Sequence, residues 1–440
     1  MRGSTHPLAR PQFDLGIAPP DLPVQRMLLV LKRDPQQDYV LHKLLDDQQD
    51  KASPNYHRWL TPDEFGAQFG PSDQDLQQVT GWLQGHGFQV NGVSHGRTVI
   101  EFSGIESQVE SALHTQIHQY LVNGENHWAN SSDPQIPAAL APVVAGVRAL
   151  NDFRPKRFSH IAGVVSRNKS DGQMIAAQPM FTLGGNCGVQ SHCYGVGPYD
   201  FATIYDVANS WKAATPIDGT GQTIAIVGET DINPQDVTDF RNYFGLPAYG
   251  QQGGPSLNII HSGPAPGILN GEETEADLDV QWSGAVAKGA SVDFVVSQTT
   301  ETTLGIDLSA LYIVDNNLAP VMSESYGICE LHLGAAGNQF YNLLWQQAAA
   351  QGITVMLSSG DGGSAGCDNF NAQGPAQLGL EVSGFASTPY NVAVGGTDFN
   401  DLKTASTYWS TTNAATTRAS ALTKGSCTIA SRADPASPLM

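Results

Sequence analysis

The pattern of apolar and polar positions in residues 25–150 predicts a compact α+β unit. Residues 25–33, QRMLLVLKR, contain the near-continuous apolar run of a buried strand. Residues 88–90 and 97–102 are two further predicted strands, joined by the turn region NGVSHG.

Three segments of this unit have helical spacing. One covers residues 38–49, a second begins after Ser72, which resembles an N-cap because Asp75 follows three residues later, and a third covers residues 105–121. Their predicted apolar faces are Val40, Leu44 and Leu45; Leu76, Val79, Trp82 and Leu83; and Ile105, Val109, Leu113 and Ile117. The order of these strands and helices suits a split βαβ arrangement.

The pattern changes after this unit. Residues 154–200 begin with the basic patch RPKR, are rich in glycine, serine and asparagine, and have no helix or strand periodicity, so they are predicted to be a linker. Beyond them, helical patterns alternate with four apolar runs: TIAIVGE (223–229), ASVDFVVS (290–297), APVMSESYG (319–327) and GITVMLSSGD (352–361). This alternation predicts an α/β domain with a parallel sheet, whose chemistry is expected at the carboxyl ends of the strands.

Charge and composition narrow the classes of partner. The chain of 440 residues has 42 Asp and Glu against 22 Lys and Arg, a formal net charge of −20. Nucleic acid is therefore not an expected partner, because phosphate contacts are made by Lys and Arg. There is no run of 18 apolar residues, so no membrane partner is expected either, and the first residues lack the apolar core of a secretory signal.

The five cysteines leave their pairing open. Cys187 and Cys193 flank the loop GVQSH and could close a small ring, whereas Cys329 and Cys367 could pair only if the fold brings them together. Cys427 is left over, and buried free thiols are the alternative to both bridges.

Two carboxylates stand out in GEETEADLDVQW (271–282). Glu275 and Asp279 are four residues apart, so on a helix they lie on one face. An acidic helix N-terminus favoured by the macrodipole is the more common meaning of such a pair. Leu278, Val280 and Trp282, however, are expected to bury this part of the helix and draw Asp279 toward the interior.

Two apolar strands end in residues that could bear chemistry. SSGDGGSAGC (358–367) delivers Asp361 to a sheet edge, although an Asx turn would also explain its Asp-Gly pair. The same stretch contains a formal G-x-S-x-G with Ser364 as a candidate esterase nucleophile, which is discounted because that motif must pass straight into a helix. ESYG (324–327) could offer backbone groups to an extended peptide, or could simply end its strand.

Taken together, these motifs identify a family resemblance over about residues 25 to 420. The second half resembles the sedolisin family of acid serine-carboxyl peptidases, whose fold is related to subtilisin, through EADLDVQW, SESYG, SSGDGGSAGC and STPYNVAVGGTDF (387–399). The first half resembles the pro-kumamolisin activation domain through SPNYHRWLTPDEFGAQFGPS (53–72), GWLQGHGFQV (81–90) and IPAALAPVVAGVRALNDF (136–153).

The resemblance implies a fold and a domain order. The fold is an α/β, subtilisin-like catalytic domain with a parallel sheet, incomplete in this chain and preceded by an α+β, ferredoxin-like pro-domain. The domains are a pro-kumamolisin-like activation domain (1–153), a linker with the processing region (154–200), a truncated peptidase domain (201–422) and an unrelated tail (423–440).

The resemblance also implies roles for five residues. Glu275 would be the general base, Asp279 the carboxylate that orients it and Asp361 the acid of the oxyanion hole, while backbone groups of Ser325 and Gly327 would bind the peptide as an added strand. The implied partners are a protein or peptide substrate and, for the pro-domain, the chain's own catalytic domain. The implied location is extracellular, although no signal peptide is present.

The sequence departs from the family at the nucleophile. Sedolisins carry it in a Gly-Thr-Ser-x-x-x-Pro motif, and no serine after Thr397 has that setting: Ser406, Ser410, Ser420, Ser426, Ser431 and Ser437. No cofactor or metal is expected, because the family's calcium site would lie in the missing C-terminal part. The sequence therefore indicates the zymogen of an acid-acting serine-type endopeptidase that is inactive as given, or alternatively a non-catalytic binding or inhibitory protein derived from it.

Overall fold

A computed structural model describes residues 1–148, 150–154, 156–157, 166–167, 174–175, 197–269, 271–368 and 375–397. Internal contacts divide the chain into two compact units. Unit 1 comprises Met1–Lys156, His261–Ala265 and Val295–Val394, and unit 2 comprises Arg157–Ile260, Pro266–Phe294 and Gly395–Met440. The predicted linker falls largely outside the described residues, as do Cys187, Cys193 and Cys427.

The N-terminal part of unit 1 contains a four-stranded antiparallel sheet. Its strands, in spatial order, are Gln89–Val93, Val99–Ile105, Pro23–Leu31 and Val144–Arg148. The central strand Pro23–Leu31 supplies fully buried side chains to a core that also takes Val79 and Leu83 from one helix and Val109 and Leu113 from another. The α+β prediction for this region is confirmed.

The helices of this part begin at polar caps and prolines. They are Pro35–Gln49, Pro62–Phe69, Asp73–Gly85 and Glu106–Leu113. The side chain of Ser72 accepts a hydrogen bond from the Asp75 backbone at 3.2 Å, which confirms the predicted cap. Thr61 and Glu64 form a capping box: the Thr61 side chain accepts the Glu64 backbone N–H, and the Glu64 side chain accepts the Thr61 backbone N–H.

Two details of the helix prediction are wrong. Val40 is 47 % exposed, and the buried face of Pro35–Gln49 begins instead at Leu41. The predicted helix over residues 105–121 is a helix only to Leu113. It ends at His114, which adopts a left-handed conformation with φ of 50°. Ile117 lies in the following strand, Ile117–Val122. The prediction joined the two elements because Ile117 happens to continue the apolar spacing of the helix.

A separate three-stranded antiparallel sheet is formed by other segments of the same N-terminal part. Its order is Asp14–Ile17, Ile117–Val122 and Glu125–Asn130. The last two strands are joined at Asn123 and Gly124, both with positive φ (53° and 87°), as a two-residue hairpin turn requires.

The C-terminal part of unit 1 is parallel α/β. Strand Val321–Glu324 pairs with Thr354–Ser358, which pairs with Val392–Val394, and both pairings are parallel. The helices Gly305–Asp315 and Glu330–Ala350 belong to this part, together with the two-residue strand Tyr326–Gly327. The α/β class with a parallel sheet, predicted from the apolar runs, is confirmed.

Unit 2 is also α/β. Its strands lie in the order Leu257–His261, Ser291–Val296 and Thr223–Gly228. The last residues of the first two strands, His261, Val295 and Val296, belong to unit 1. Its helices are Pro198–Ile204, Val207–Trp211, Pro234–Phe244 and Glu273–Val286, and its described part also holds the antiparallel pair Ser166–Arg167 and Met174–Ile175.

Candidate active site

The predicted base lies on a buried helix of unit 2. Glu275 is 2 % exposed, in the first turn of Glu273–Val286, where the positive end of the helix dipole favours a carboxylate. Asp279 follows one turn later and is half-buried, so the helix carries both carboxylates on one face. The expected burial of this segment is confirmed for Val280, whereas Leu278 and Trp282 are only half-buried.

The other predicted site residues follow the carboxyl ends of two parallel strands in unit 1. Glu324 is paired in register with Leu357, so the strands Val321–Glu324 and Thr354–Ser358 end at the same edge of the sheet. Asp361 is exposed, three residues beyond the strand end and directly after Gly360, whose φ is 98°. Ser364 lies in a turn, and residues 362–368 contain no helix, in keeping with the rejection of a nucleophile elbow.

The segment predicted to receive substrate already pairs with another part of the chain. Ser325 is half-buried and Gly327 is buried. Tyr326–Gly327 forms a two-stranded sheet with Lys156–Arg157, which begins at the last residue of the N-terminal segment of unit 1. Backbone pairing at SESYG therefore occurs here with the chain's own segment.

Comparisons with known proteins show what this chain is similar to. The model of the "Pro-kumamolisin, activation domain" family matches residues 14–153. Sedolisin from Pseudomonas sp. (strain 101) is 28% identical over 353 residues, which cover 78% of this chain and 54% of that protein. Kumamolisin from Bacillus sp. (strain MN-32) is 24% identical over 80% of this chain and 58% of its own length.

Residues 14–153 thus match the pro-kumamolisin activation-domain family, and most of the chain is similar to sedolisins. Human tripeptidyl-peptidase 1 is also similar, at 27% identity over 82% of this chain and 60% of its own length. A solved structure of Pseudomonas sedolisin, a serine-carboxyl proteinase complexed with two molecules of pseudo-iodotyrostatin, matches 47% of this chain and 56% of its own, with 27% identity and a TM-score of 0.37. The chain spans about half the length of the curated relatives it matches.

Buried polar contacts join residues 1–153 to residues 295–394 within unit 1. Arg148, 3 % exposed, reaches the fully buried Asp307, with Nε to Oδ2 at 3.1 Å and Nη2 to Oδ1 at 3.2 Å. Tyr341 donates its hydroxyl to Asp307 Oδ1 at 2.6 Å. Burial raises the pKa of Asp307, although Arg148 and the hydrogen bonds act in the opposite direction.

A second polar contact of this kind involves a turn of the pro-kumamolisin-like region. The backbone N–H groups of His95 and Gly96 donate to the carboxylate of Asp315 at 2.7 and 2.9 Å. Burial raises the pKa of Asp315, while these hydrogen bonds and His95 lower it in part. Neither Asp307 nor Asp315 was singled out in the sequence, because their partners in residues 1–153 are more than 150 residues away along the chain.

A second group of carboxylates combines two residues of the helix that carries Glu275 with one residue of the helix Pro234–Phe244. Carboxylate oxygens of Asp236, Glu273 and Asp277 lie within 4.8 Å of one another, with Asp277 fully buried. Burial, Glu273 and Asp239 raise the pKa of Asp236 from 3.8 to about 6. These oxygens could hold a cation or share protons. The i,i+4 spacing of Glu273 and Asp277 in EETEAD was the available sequence signal.

One of the two possible disulfides is present among the described residues. Cys329 and Cys367 are bonded, with their Cα atoms 5.2 Å apart. His332 lies within 4.8 Å of both sulfurs, but sulfurs in a disulfide are not thiolate ligands, so this group is not a metal site. None of the described helices is long and apolar enough to cross a membrane.

Proposed function

We propose that this chain is the precursor form of a secreted, acid-acting serine-type endopeptidase whose substrates are proteins and peptides. Glu275 is the general base, Asp279 orients it, and Asp361 is the acid of the oxyanion hole. The observation that carries the proposal is the pair Glu275 and Asp279 on one helix face, with Glu275 buried at the helix N-terminus.

Acid is the condition in which these roles are chemically consistent. A glutamate with a reference pKa of about 4.3 can accept a serine proton at acidic pH, where a histidine with a pKa of about 6.5 is already charged. An oxyanion-hole aspartate must be protonated in order to donate a hydrogen bond. Asp361 is exposed, so its proton has to come from low pH and not from an apolar environment.

Peptide binding is assigned to the backbone of Ser325 and Gly327. A peptide added as a strand uses main-chain hydrogen bonds for affinity, and Tyr326–Gly327 offers these groups. In the precursor the same edge pairs with Lys156–Arg157, directly after the activation domain. The pro-domain thus acts as the first partner of its own catalytic domain and blocks the substrate edge.

Hydrolysis by this chain is not expected, because the printed sequence holds no Gly-Thr-Ser motif and oriented carboxylates do not replace a covalent nucleophile. The proposal includes no metal or cofactor in the catalytic step. A non-catalytic binding or inhibitory protein is the second candidate function. It is favoured by the buried contacts of residues 1–153, such as Arg148 with Asp307, which would allow this region to hold related catalytic domains.

The test measures peptide binding and turnover separately at pH 4, near the reference pKa of Glu. Lys156→Pro removes a backbone donor and should expose Tyr326–Gly327. We expect a fluorescently labelled casein peptide to bind this variant about fivefold more tightly than wild type, and Gly327→Pro to abolish the gain, since one backbone hydrogen bond contributes about 1 kcal/mol.

Three outcomes would change the proposal. Equal, weak binding by all variants with native circular dichroism would reject the peptide site. Turnover by the wild-type chain that is lost in Glu275→Gln would show that this chain hydrolyses peptides through Glu275 and would overturn the expectation of no hydrolysis. Tight binding of the full chain to an intact homologous peptidase, without peptide binding, would favour the inhibitory function.

A further inference from the structure

Residues 1–13 form an N-terminal arm that precedes the region matched by the activation-domain family model. The carboxylate of Asp133 holds the start of the arm: Oδ1 accepts the backbone N–H groups of Ser4 and Thr5 at 2.8 and 3.1 Å, and Oδ2 accepts that of Gly3 at 3.0 Å. Burial opposes ionisation of this group, but the hydrogen bonds prevail and lower the pKa of Asp133.

The same arm touches the helix Glu330–Ala350. The carbonyl of Gly3 accepts the Ala335 backbone N–H at 3.1 Å. Gly334, the only described residue of that helix with a non-helical conformation, has φ of 70°, and a Cβ there would lie 2.9 Å from the Gly3 carbonyl oxygen. The helix is therefore shaped to let the arm approach closely. Both contacts lie within unit 1.

The arm is closed by the side chain of His6, which is 5 % exposed. Its ring stacks on Phe153 with centroids 4.1 Å apart and an interplanar angle of 12°, and it lies 5.0 Å from the ring of His332. The Nδ1 atom accepts the backbone N–H of Leu8 at 3.2 Å. An Nδ1 that accepts a hydrogen bond carries no proton, so the closed arm requires a neutral imidazole.

The charges around His6 favour this neutral form. His332 lies on one side, His127 stacks on Phe153 with centroids 4.3 Å apart, and Arg148 lies nearby. His127 has Asp152 at 3.1 Å and Glu125 at 3.9 Å, and Arg148 has Asp307. Among the described residues, His6 itself makes no ion pair with a carboxylate. Burial, followed by His332, His127 and Arg148, lowers the pKa of His6 from 6.5 to about 3.

We propose that the N-terminal arm is a clasp that fastens the activation domain to the Glu330–Ala350 helix, and that protonation of the His6 ring opens it. The inference goes beyond the proposed function, because it concerns residues outside the family model and makes no use of the catalytic carboxylates. A charged ring loses the Leu8 hydrogen bond and leaves an unpaired cation beside His332.

The size of the effect follows from the requirement for a neutral ring. Below the ordinary histidine pKa of 6.5, the ratio of closed to open arm falls about tenfold for each pH unit. The ratio of closed to open arm thus has its full value above pH 6.5 and is about 100-fold lower at pH 4.5. Asp133, whose pKa is lowered, remains ionised over this range.

Hydrogen–deuterium exchange of the full-length chain tests the clasp. The readouts are the backbone amides of Gly3, Ser4, Thr5, Leu8 and Ala335, with labelling times corrected for intrinsic exchange at each pH. We expect protection to fall about 100-fold between pH 6.5 and 4.5 in wild type. Intact mass, recorded on the same samples, separates opening of the arm from cleavage of the chain.

Two matched variants locate the titrating group. His6→Asn does not titrate and keeps an acceptor for the amide two residues later, as in an Asx turn, so its protection should not change with pH. His114→Asn changes an exposed histidine that has the left-handed conformation asparagine tolerates, and it should behave as wild type. Wild-type protection that is independent of pH, or an equal fall in His6→Asn, would overturn the proposal.

A direct titration covers the case in which His6→Asn leaves the arm open at every pH. In the wild-type chain with isotope-labelled histidine, the ring resonance that disappears in His6→Asn should titrate well below the ordinary histidine pKa of 6.5. A His6 ring that titrates near 6.5 in the closed protein would refute the clasp.

Discussion

The buried ion pair between Arg148 and Asp307 provides the sharpest stability prediction. Asp307→Asn removes the negative charge but keeps an oxygen that can accept the Tyr341 hydroxyl, so the main change is an unpaired guanidinium. The side chain of Arg148 is 4% exposed and that of Asp307 is 0% exposed, which leaves the cation without water. We expect this variant to be strongly destabilised.

The magnitude follows from the geometry. At the observed 3.1 Å, two unit charges attract by about 5 kcal/mol with an effective dielectric constant of about 20. Loss of one partner of a buried pair typically costs about 3–5 kcal/mol. Arg97 and Asp73 form the matched control at 2.7 Å, because their side chains are 31% and 77% exposed. Asp73→Asn should cost about 1 kcal/mol or less.

Urea unfolding at pH 7, followed by circular dichroism and tryptophan fluorescence, measures both free energies. The double variant Arg148→Met, Asp307→Asn removes both charges and should recover most of the loss, because no charge is left buried. The reasoning fails if Asp307→Asn and Asp73→Asn differ by less than about 1 kcal/mol, or if the double variant is no more stable than Asp307→Asn.

Three further predictions concern other parts of the fold. Reduction of Cys329–Cys367, which spans 38 residues, should lower the free energy of unfolding by about 4 kcal/mol in urea titrations with and without reductant, and no change would contradict a structural role. Folding raises the pKa of Asp236 to about 6, so between pH 7 and 4 the folded state binds a proton more tightly than the unfolded state, and this group favours folding more as the pH falls. Asp236→Asn should flatten that part of the profile of melting temperature against pH. An unchanged profile would refute this prediction. Ser72→Ala should cost about 1 kcal/mol in thermal melts through loss of the cap on Asp75, whereas Ser72→Thr should cost little; equal losses would argue against the cap.

Local patterns in the sequence were sufficient where one element decides the outcome. The cap at Ser72 and the buried strand Pro23–Leu31 depend on neighbouring residues alone, and both were predicted. Val40 was misplaced because a helix with several apolar residues has more than one possible face, and packing selects Leu41. The turn at His114 was missed because its left-handed conformation is rare and has no strong local signal.

The candidate site shows a similar division. The spacing of Glu275 and Asp279 was enough to put them on one helix face, and the end of the Thr354–Ser358 strand was enough to place Asp361 at a sheet edge. The burial of the neutral His6 ring and the pair of Arg148 with Asp307 depend on contacts between distant segments, which no local sequence pattern encodes. The catalytic roles of the carboxylates remain predictions.

The strand pair between Lys156–Arg157 and Tyr326–Gly327 has a consequence for competition. Lys156 follows Phe153, a buried residue of the activation domain, after only two intervening residues, so the strand is held near its partner as a tethered ligand. Such a tether gives an effective concentration of about millimolar. A free peptide at micromolar concentration therefore cannot displace it, even with the same intrinsic affinity. A single cut in the chain that releases this strand would dilute it to the concentration of the protein itself, and would open the edge to other peptides without changing the intrinsic affinity of the edge for a strand.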